Sequence, residues 1–118
     1  MPVRKWAKVV SDGAEALAYL SNAGEKTKDC PIPTLVVLDL NLPLMSGFDV
    51  LAWMRNEKRL RRLPVVVLTS SSEPSDVSKS YALGANSYVV KPPTPEQLES
   101  LAKAFKWYWL EYNCFVTA

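Results

Sequence analysis

The chain contains no histidine. Catalytic triads and zinc sites built on imidazole are therefore excluded, and any chemistry falls to carboxylates, hydroxyls and lysines. Three such groups stand at comparable places. Asp39 closes the apolar run Thr34-Leu35-Val36-Val37-Leu38, Thr69 and Ser70 close Pro64-Val65-Val66-Val67-Leu68, and Lys91 closes Ser87-Tyr88-Val89-Val90. Each alone reads as a strand-end polar residue or a helix cap. At successive strand ends they would put a carboxylate, a hydroxyl and an ammonium on one rim of a sheet, provided the strands lie side by side.

The elements that must do this positioning follow from hydrophobic pattern. The first two runs are short, rich in β-branched residues and continuous rather than alternating, as in parallel strands covered by helices on both faces. Val3 to Val10 is a weaker strand whose Arg4, Lys5 and Lys8 suit an edge position. Helical patterns lie between the strands. Ala14 to Leu20 is preceded by Asp12, with Glu15 at the spacing of a capping box. Gly47 to Arg55 puts Phe48, Leu51 and Met54 about one turn apart, and Ser75 to Leu83 stops at Gly84. A last helix from near Pro95-Glu96 carries Leu98, Leu101, Phe105, Tyr108 and Tyr112 at steps of three and four. Trp107, Tyr108 and Trp109 in succession cannot all face one core. The order β-α-β-α-β-α-β-α predicts an α/β fold with a parallel sheet and a ligand site at the carboxyl ends of the strands. No linker, repeat or low-complexity tract interrupts it, so residues 1–118 are read as a single domain.

Composition narrows the class further. Of 118 residues, 48% are hydrophobic and 22% charged, which suits one ordinary globular domain. Fourteen basic against twelve acidic residues leave a net charge of +2. That balance argues against a nucleic-acid tail or polybasic membrane anchor, and against the aromatic run serving as a nucleic-acid stacking platform. No apolar run is long enough for a membrane span. Cys30 and Cys114 lack any Cys-x-x-Cys spacing and read as free thiols in a reducing cytoplasm. The basic run Lys58-Arg59-Leu60-Arg61-Arg62 reads as a solvated helix end.

Here the sequence resembles the receiver domains of two-component response regulators, which have a flavodoxin-like, doubly wound parallel sheet. The matching text is Leu38-Asp39-Leu40-Asn41-Leu42-Pro43 with Gly47, Pro64 through Ser70, and Gly84-Ala85-Asn86-Ser87-Tyr88-Val89-Val90-Lys91-Pro92. Asp12-Gly13-Ala14-Glu15-Ala16-Leu17 is similar to the turn into the family's second helix. The ending Tyr108-Trp109-Leu110 resembles stand-alone receivers associated with bacterial phytochromes. The resemblance implies a phosphorelay protein rather than an enzyme, with a histidine kinase as partner. It makes Asp39 the phosphoacceptor, the carbonyl of Asn41 a ligand of Mg²⁺, Thr69 and Lys91 the partners of the phosphoryl oxygens, Thr69 and Tyr88 the switch pair, and Lys91-Pro92 a cis peptide.

The departures carry equal weight. The chain begins at the element that resembles the family's second strand, so the first strand and first helix are expected to be missing. No Asp or Glu precedes Asp12, and with them goes the family's acidic pair for Mg²⁺. Asp39 and one carbonyl make a poor site for a cation usually held by carboxylates and waters. Asp12 is read first as a helix cap and second as a substitute metal ligand. The family's sheet order is 2-1-3-4-5, and loss of strand 1 would leave Leu35–Asp39 with an unpaired edge and part of one face bare. The expected repair is direct pairing of Val3–Val10 with Leu35–Asp39, giving the order 2-3-4-5, with a homodimer through the last helix and the exposed sheet face. Two functions remain open on this basis: a phosphoacceptor module at Asp39, and a phosphorylation-incompetent, receiver-derived interaction module. A nucleotide or flavin enzyme would need a better phosphate loop than Ser11-Asp12-Gly13-Ala14.

Overall fold

The computed structural model of the chain describes residues 7–10, 13–23, 32–41 and 45–114. Four strands alternate with helices: β1 Ala7–Val10, α1 Gly13–Asn22, β2 Leu35–Leu38, α2 Gly47–Asn56, β3 Val65–Thr69, α3 Pro74–Ala82, β4 Ser87–Val90 and α4 Pro95–Phe105. A wider helical segment over Lys106–Tyr112 continues α4 without a break. The sheet order is β1-β2-β3-β4 and every pairing is parallel. The first strand therefore lies directly against β2, in register from Ala7 on Leu35 to Val10 on Leu38. This is the expected repair. Residues 3–6 of the strand read from sequence, with Arg4 and Lys5, lie outside the described residues, as do Asp12, Cys30 and Pro43.

The continuous apolar strands divide their side chains between two faces, because successive residues point to opposite sides. Val36, Leu38, Val65 and Val67 join Ala16 and Leu20 of α1 and Val50, Leu51 and Met54 of α2 in the larger core. Leu35, Val37 and Val66 face the other way, against Leu68, Val89, Phe105 and Trp109. On α2 the inner stripe is Val50, Leu51 and Met54, whereas Phe48 is only half-buried. Phe48 instead packs at the core margin, under the ammonium of Lys79 from α3 at 4.4 Å.

Two readings from sequence are corrected. The even steps of three and four along the last helix put Tyr108 and Tyr112 on the apolar face, yet they are 53% and 65% exposed. After Phe105 the helix widens, and the Asn113 N–H donates to the carbonyl of Tyr108, five residues back, at 2.7 Å. A wider turn changes the period, so Phe105, Trp109 and Leu110 turn inward in place of the tyrosines. The basic run 58–62 is not simply solvated. The Arg59 guanidinium donates to the carbonyls of Leu20 (2.9 Å), Ser21 (2.8 Å) and Ala23. These acceptors stand at the end of α1, a helix with no basic residue in its own last turn.

Arg55 performs a similar task nearer the centre. Its guanidinium donates to the carbonyls of Leu63 at 2.8 Å and Arg61 at 3.1 Å, twice to that of Gly84 at 3.0 and 2.8 Å, and to Asn86 Oδ1 at 3.1 Å. Asn86 Oδ1 in turn accepts the Val65 N–H at 2.8 Å. One side chain thus joins α2, the start of β3 and the turn into β4. Gly84 has φ +104°, and a Cβ there would stand 2.8 Å from Arg55 Nε. Gly84→Ala is accordingly expected to lower stability by at least ~1–2 kcal/mol, the cost of a left-handed backbone with a side chain. Urea unfolding measures this, and an unchanged midpoint would contradict it.

Candidate functional site at the carboxyl rim

Parallel register brings the three strand ends to one level. Leu38 pairs with Val67, Leu68 with Val89 and Thr69 with Val90, so Asp39 and Lys91 each stand one residue past their strands, flanking Thr69. The Lys91 N–H extends the ladder by donating to the Thr69 carbonyl at 2.7 Å. The start of α2 closes the rim from the side. Ser46 caps that helix by accepting the Asp49 N–H at 3.2 Å, and the Gly47 N–H donates to the Leu40 carbonyl at 3.1 Å. A Cβ on Gly47 would lie 2.3 Å from the Asp39 carbonyl. Glycine is therefore what lets α2 begin so close to the Asp39 turn.

Within this rim Lys91 Nζ donates to Asp39 Oδ2 at 2.5 Å, and the Asn41 N–H donates to Asp39 Oδ1 at 3.0 Å. Thr69 is fully buried beside this pair, and its hydroxyl oxygen accepts the Ser71 N–H at 3.4 Å. The Asp39 and Lys91 side chains are 23% and 41% exposed. Burial pushes the Asp39 carboxyl up. The Lys91 hydrogen bond, the Asn41 N–H, the Lys91 charge and the Thr69 hydroxyl together outweigh it, and hold the carboxyl below its ordinary value of 3.8. The side chains read from sequence as a converging carboxylate, hydroxyl and ammonium do converge. Tyr88 lies against the core beside them, its hydroxyl donating to the Ser71 carbonyl at 2.8 Å.

Other expectations fare differently. No peptide bond among the described residues is cis, so Lys91-Pro92 is trans. The two isomers of such a bond differ by only ~0.5–1 kcal/mol, and with the trans form Lys91 still reaches Asp39. Asp12 lies outside the described residues, so neither its cap nor its ligand role is placed. Among the described residues no group of three or more His, Cys, Asp or Glu could hold a metal ion. Among the described residues, the donors implied for Mg²⁺ are the Asp39 carboxylate, paired with an ammonium, and the Asn41 carbonyl. Sequence reasoning does not single out Ser71 or Asp76, which the structure ties to this rim. The sequence signal for them is slight, a serine five residues before an acidic residue in the first turn of α3.

Comparison with known proteins agrees with this geometry. The profile of the response regulator receiver domain matches residues 5–103, and the chain belongs to that family. It is 40% identical over 103 residues to the response regulator Rcp1 of Synechocystis sp., covering 87% of this chain and 69% of Rcp1. It is 39% identical over 104 residues to the probable methanogenesis regulatory protein FilR2 of Methanothrix harundinacea, covering 86% of this chain and 64% of FilR2. Among solved structures, the phosphorylated cyanobacterial phytochrome response regulator RcpA superposes with a TM-score of 0.82 at 39% identity, over 92% of this chain and 76% of RcpA. The Mn(2+)-bound form of Rcp1 gives 0.81 at 37% identity, over 93% and 78%. The flavodoxin-like receiver fold and the likeness to phytochrome-associated receivers are thus established. Among the described residues no helix is long and apolar enough to cross a membrane.

The depressed Asp39 pKa fixes a sign. A carboxyl held below 3.8 stabilises the fold above that pH, and the contribution is lost as pH falls through the lowered value. Lys91→Met is expected to raise the Asp39 midpoint, followed by carboxyl-carbon NMR, and to remove that part of the acid dependence of urea unfolding. An Asp39 midpoint indifferent to Lys91 would contradict the pairing.

Proposed function

We propose that this chain acts as a signalling module in a two-component phosphorelay, with Asp39 as the phosphoacceptor and a histidine kinase as donor. The observation that carries the reading is the meeting of Asp39, Thr69 and Lys91 at one rim, with Lys91 on the carboxylate at 2.5 Å. An Asp39 carboxylate oxygen would attack the phosphorus of a phosphohistidine. The new P–O bond forms as the P–N bond breaks, the electron pair leaves with the imidazole nitrogen, and that nitrogen takes a proton from solvent. Lys91 offsets the added negative charge and the Thr69 hydroxyl donates to a phosphoryl oxygen. The reaction is a single group transfer that signals, not catalytic turnover of a substrate.

A second reading is favoured by one specific observation. Between the sheet and the last helix lies an apolar groove of about 320 Å³, lined by Leu35, Val37, Leu68, Leu98, Leu101 and Phe105 among others. No residue of α4 is fully buried, and Trp107, Tyr108 and Tyr112 stand exposed just beyond the groove. One helix about 10 Å wide does not cover four strands at roughly 4.8 Å spacing. A second copy supplying the apolar face of its own last helix would bury the remainder, in a two-fold arrangement. On this reading the chain is a receiver-derived interaction module that folds as a homodimer and takes no phosphoryl group. The two readings share self-association and differ at Asp39.

Two measurements separate them. With acetyl phosphate and Mg²⁺, the first reading expects Asp39 to label, and to do so slowly and with little dependence on the cation, because the described residues around Asp39 offer it no second carboxylate. Asp39→Asn should abolish the label. Absence of label in the parent chain would leave the second reading. Sedimentation at micromolar concentration is expected to show a dimer that Leu101→Glu converts to monomer. A well-folded monomeric parent with a cooperative melt would refute the self-association shared by both.

A further inference from the structure

The widened turn that ends the last helix does more than turn Phe105, Trp109 and Leu110 inward. Trp107 and Tyr112 are five residues apart, and on an ordinary helix of 3.6 residues per turn they would point roughly 140° away from each other. In the wider segment over Lys106–Tyr112 the period lengthens toward five. The two rings therefore meet edge to face, with centroids 4.6 Å apart and planes at 63°. Lys106 and Glu111, also five apart, flank them, and Lys103 stands one turn before Trp107. Together these five side chains line an open cleft of about 640 Å³. Such wide helix is rare and appears frequently at functional sites. Here it sets two large rings, 62% and 65% exposed, where no described residue covers them.

The chemistry of the cleft narrows its ligand. The Trp107 and Tyr112 rings form a corner that accepts a third flat ring, stacked on one and edge-on to the other. Among the described residues the Lys106 ammonium, the Glu111 carboxylate, the Trp107 indole N–H and the Tyr112 hydroxyl have no hydrogen-bond or ion-pair partner. Lys103 lies 3.7 Å from Glu99, an exposed pair that holds its charge only weakly. A purely apolar molecule would desolvate these groups without pairing them. A cation would face two ammoniums, and a polyanionic strand would meet Glu111. A flat ring with an acid group on one side and an N–H or O–H donor on the other answers them together, the acid on Lys103 and Lys106 and the donor on Glu111. We propose that this cleft is a binding site for a small aromatic acid carrying a ring donor, separate from the strand-end rim and independent of the chemistry at Asp39. An open site with few contacts binds weakly, with Kd on the order of 1 mM for a molecule of two fused rings.

The test titrates the full chain with indole-3-acetate and follows saturation transfer to the probe by NMR. Indole-3-acetate is expected to bind with a Kd near that value. 3-Methylindole, which lacks the acid, and tryptamine, which carries an ammonium instead, should bind at least roughly tenfold more weakly. Trp107→Ala, Tyr112→Ala and the paired change Lys103→Ala with Lys106→Ala should each weaken indole-3-acetate roughly tenfold. All four side chains are exposed, so the circular dichroism spectrum should not change. The paired lysine change should also erase the preference over 3-methylindole. Methylating the ring nitrogen of the probe should cost affinity in the parent and none in Glu111→Ala. Asp39→Asn should bind as the parent does, which keeps this site apart from the phosphoacceptor reading. Absence of saturation transfer, or equal binding of the three probes, overturns the site. So does a parent that ignores indole-3-acetate while Trp107→Ala converts a sedimenting dimer to monomer, since the cleft would then be a face between two copies.

Discussion

The structure turns on one requirement: β2 is buried on both faces, so both of its backbone edges must be paired. Leu35, Val36, Val37 and Leu38 are all buried, alternating between the two cores. A buried amide or carbonyl without a partner costs about 1–3 kcal/mol, and β2 would carry several along an open edge. On one side β3 satisfies them, as in the Val36 N–H donated to the Pro64 carbonyl at 3.0 Å. On the other side β1 does, in unbroken parallel register. With β2 held between two neighbours, Asp39 leaves the sheet at a defined height, and Thr69 and Lys91 follow from the same ladder.

Electrostatics at the rim is correspondingly spare. One carboxylate meets one ammonium, with the Asn41 amide donating to the carboxylate's other oxygen. A receiver built this way can still report a charge change at Asp39, because the neighbouring groups that would answer it, Thr69, Ser71 and Tyr88, are bonded in sequence. The opposite face of the sheet is governed by area rather than charge. A single helix with no fully buried residue leaves the groove beside Leu98 and Leu101 partly open.

Much of this was legible in the residues. Continuous Val- and Leu-rich runs specify buried parallel strands because no alternating pattern survives when both faces are covered. Residues at the ends of such strands must then meet at one rim, which placed Asp39, Thr69 and Lys91. The edge requirement of β2 made its pairing with β1 foreseeable as well. Three features were not. The widened turn after Phe105 breaks the three-and-four period on which the tyrosines were assigned, and no proline or glycine announces it. Arg55 and Arg59 reach carbonyls as far as 29 and 39 residues away in sequence, where only the fold reveals that helix and turn ends lie within reach. Ser71 looks like one of three serines in a loop, and its importance comes from what surrounds it.

The most direct measurement is amide hydrogen exchange along β2. Because successive N–H groups alternate sides and Val36 donates to β3, the N–H groups of Leu35 and Val37 face β1. Direct β1–β2 pairing predicts that Val37 exchanges as slowly as Val36, at the limit set by global unfolding. Val37 exchanging orders of magnitude faster than Val36 would show β2 to be an open edge, and would contradict the sheet on which the site is built.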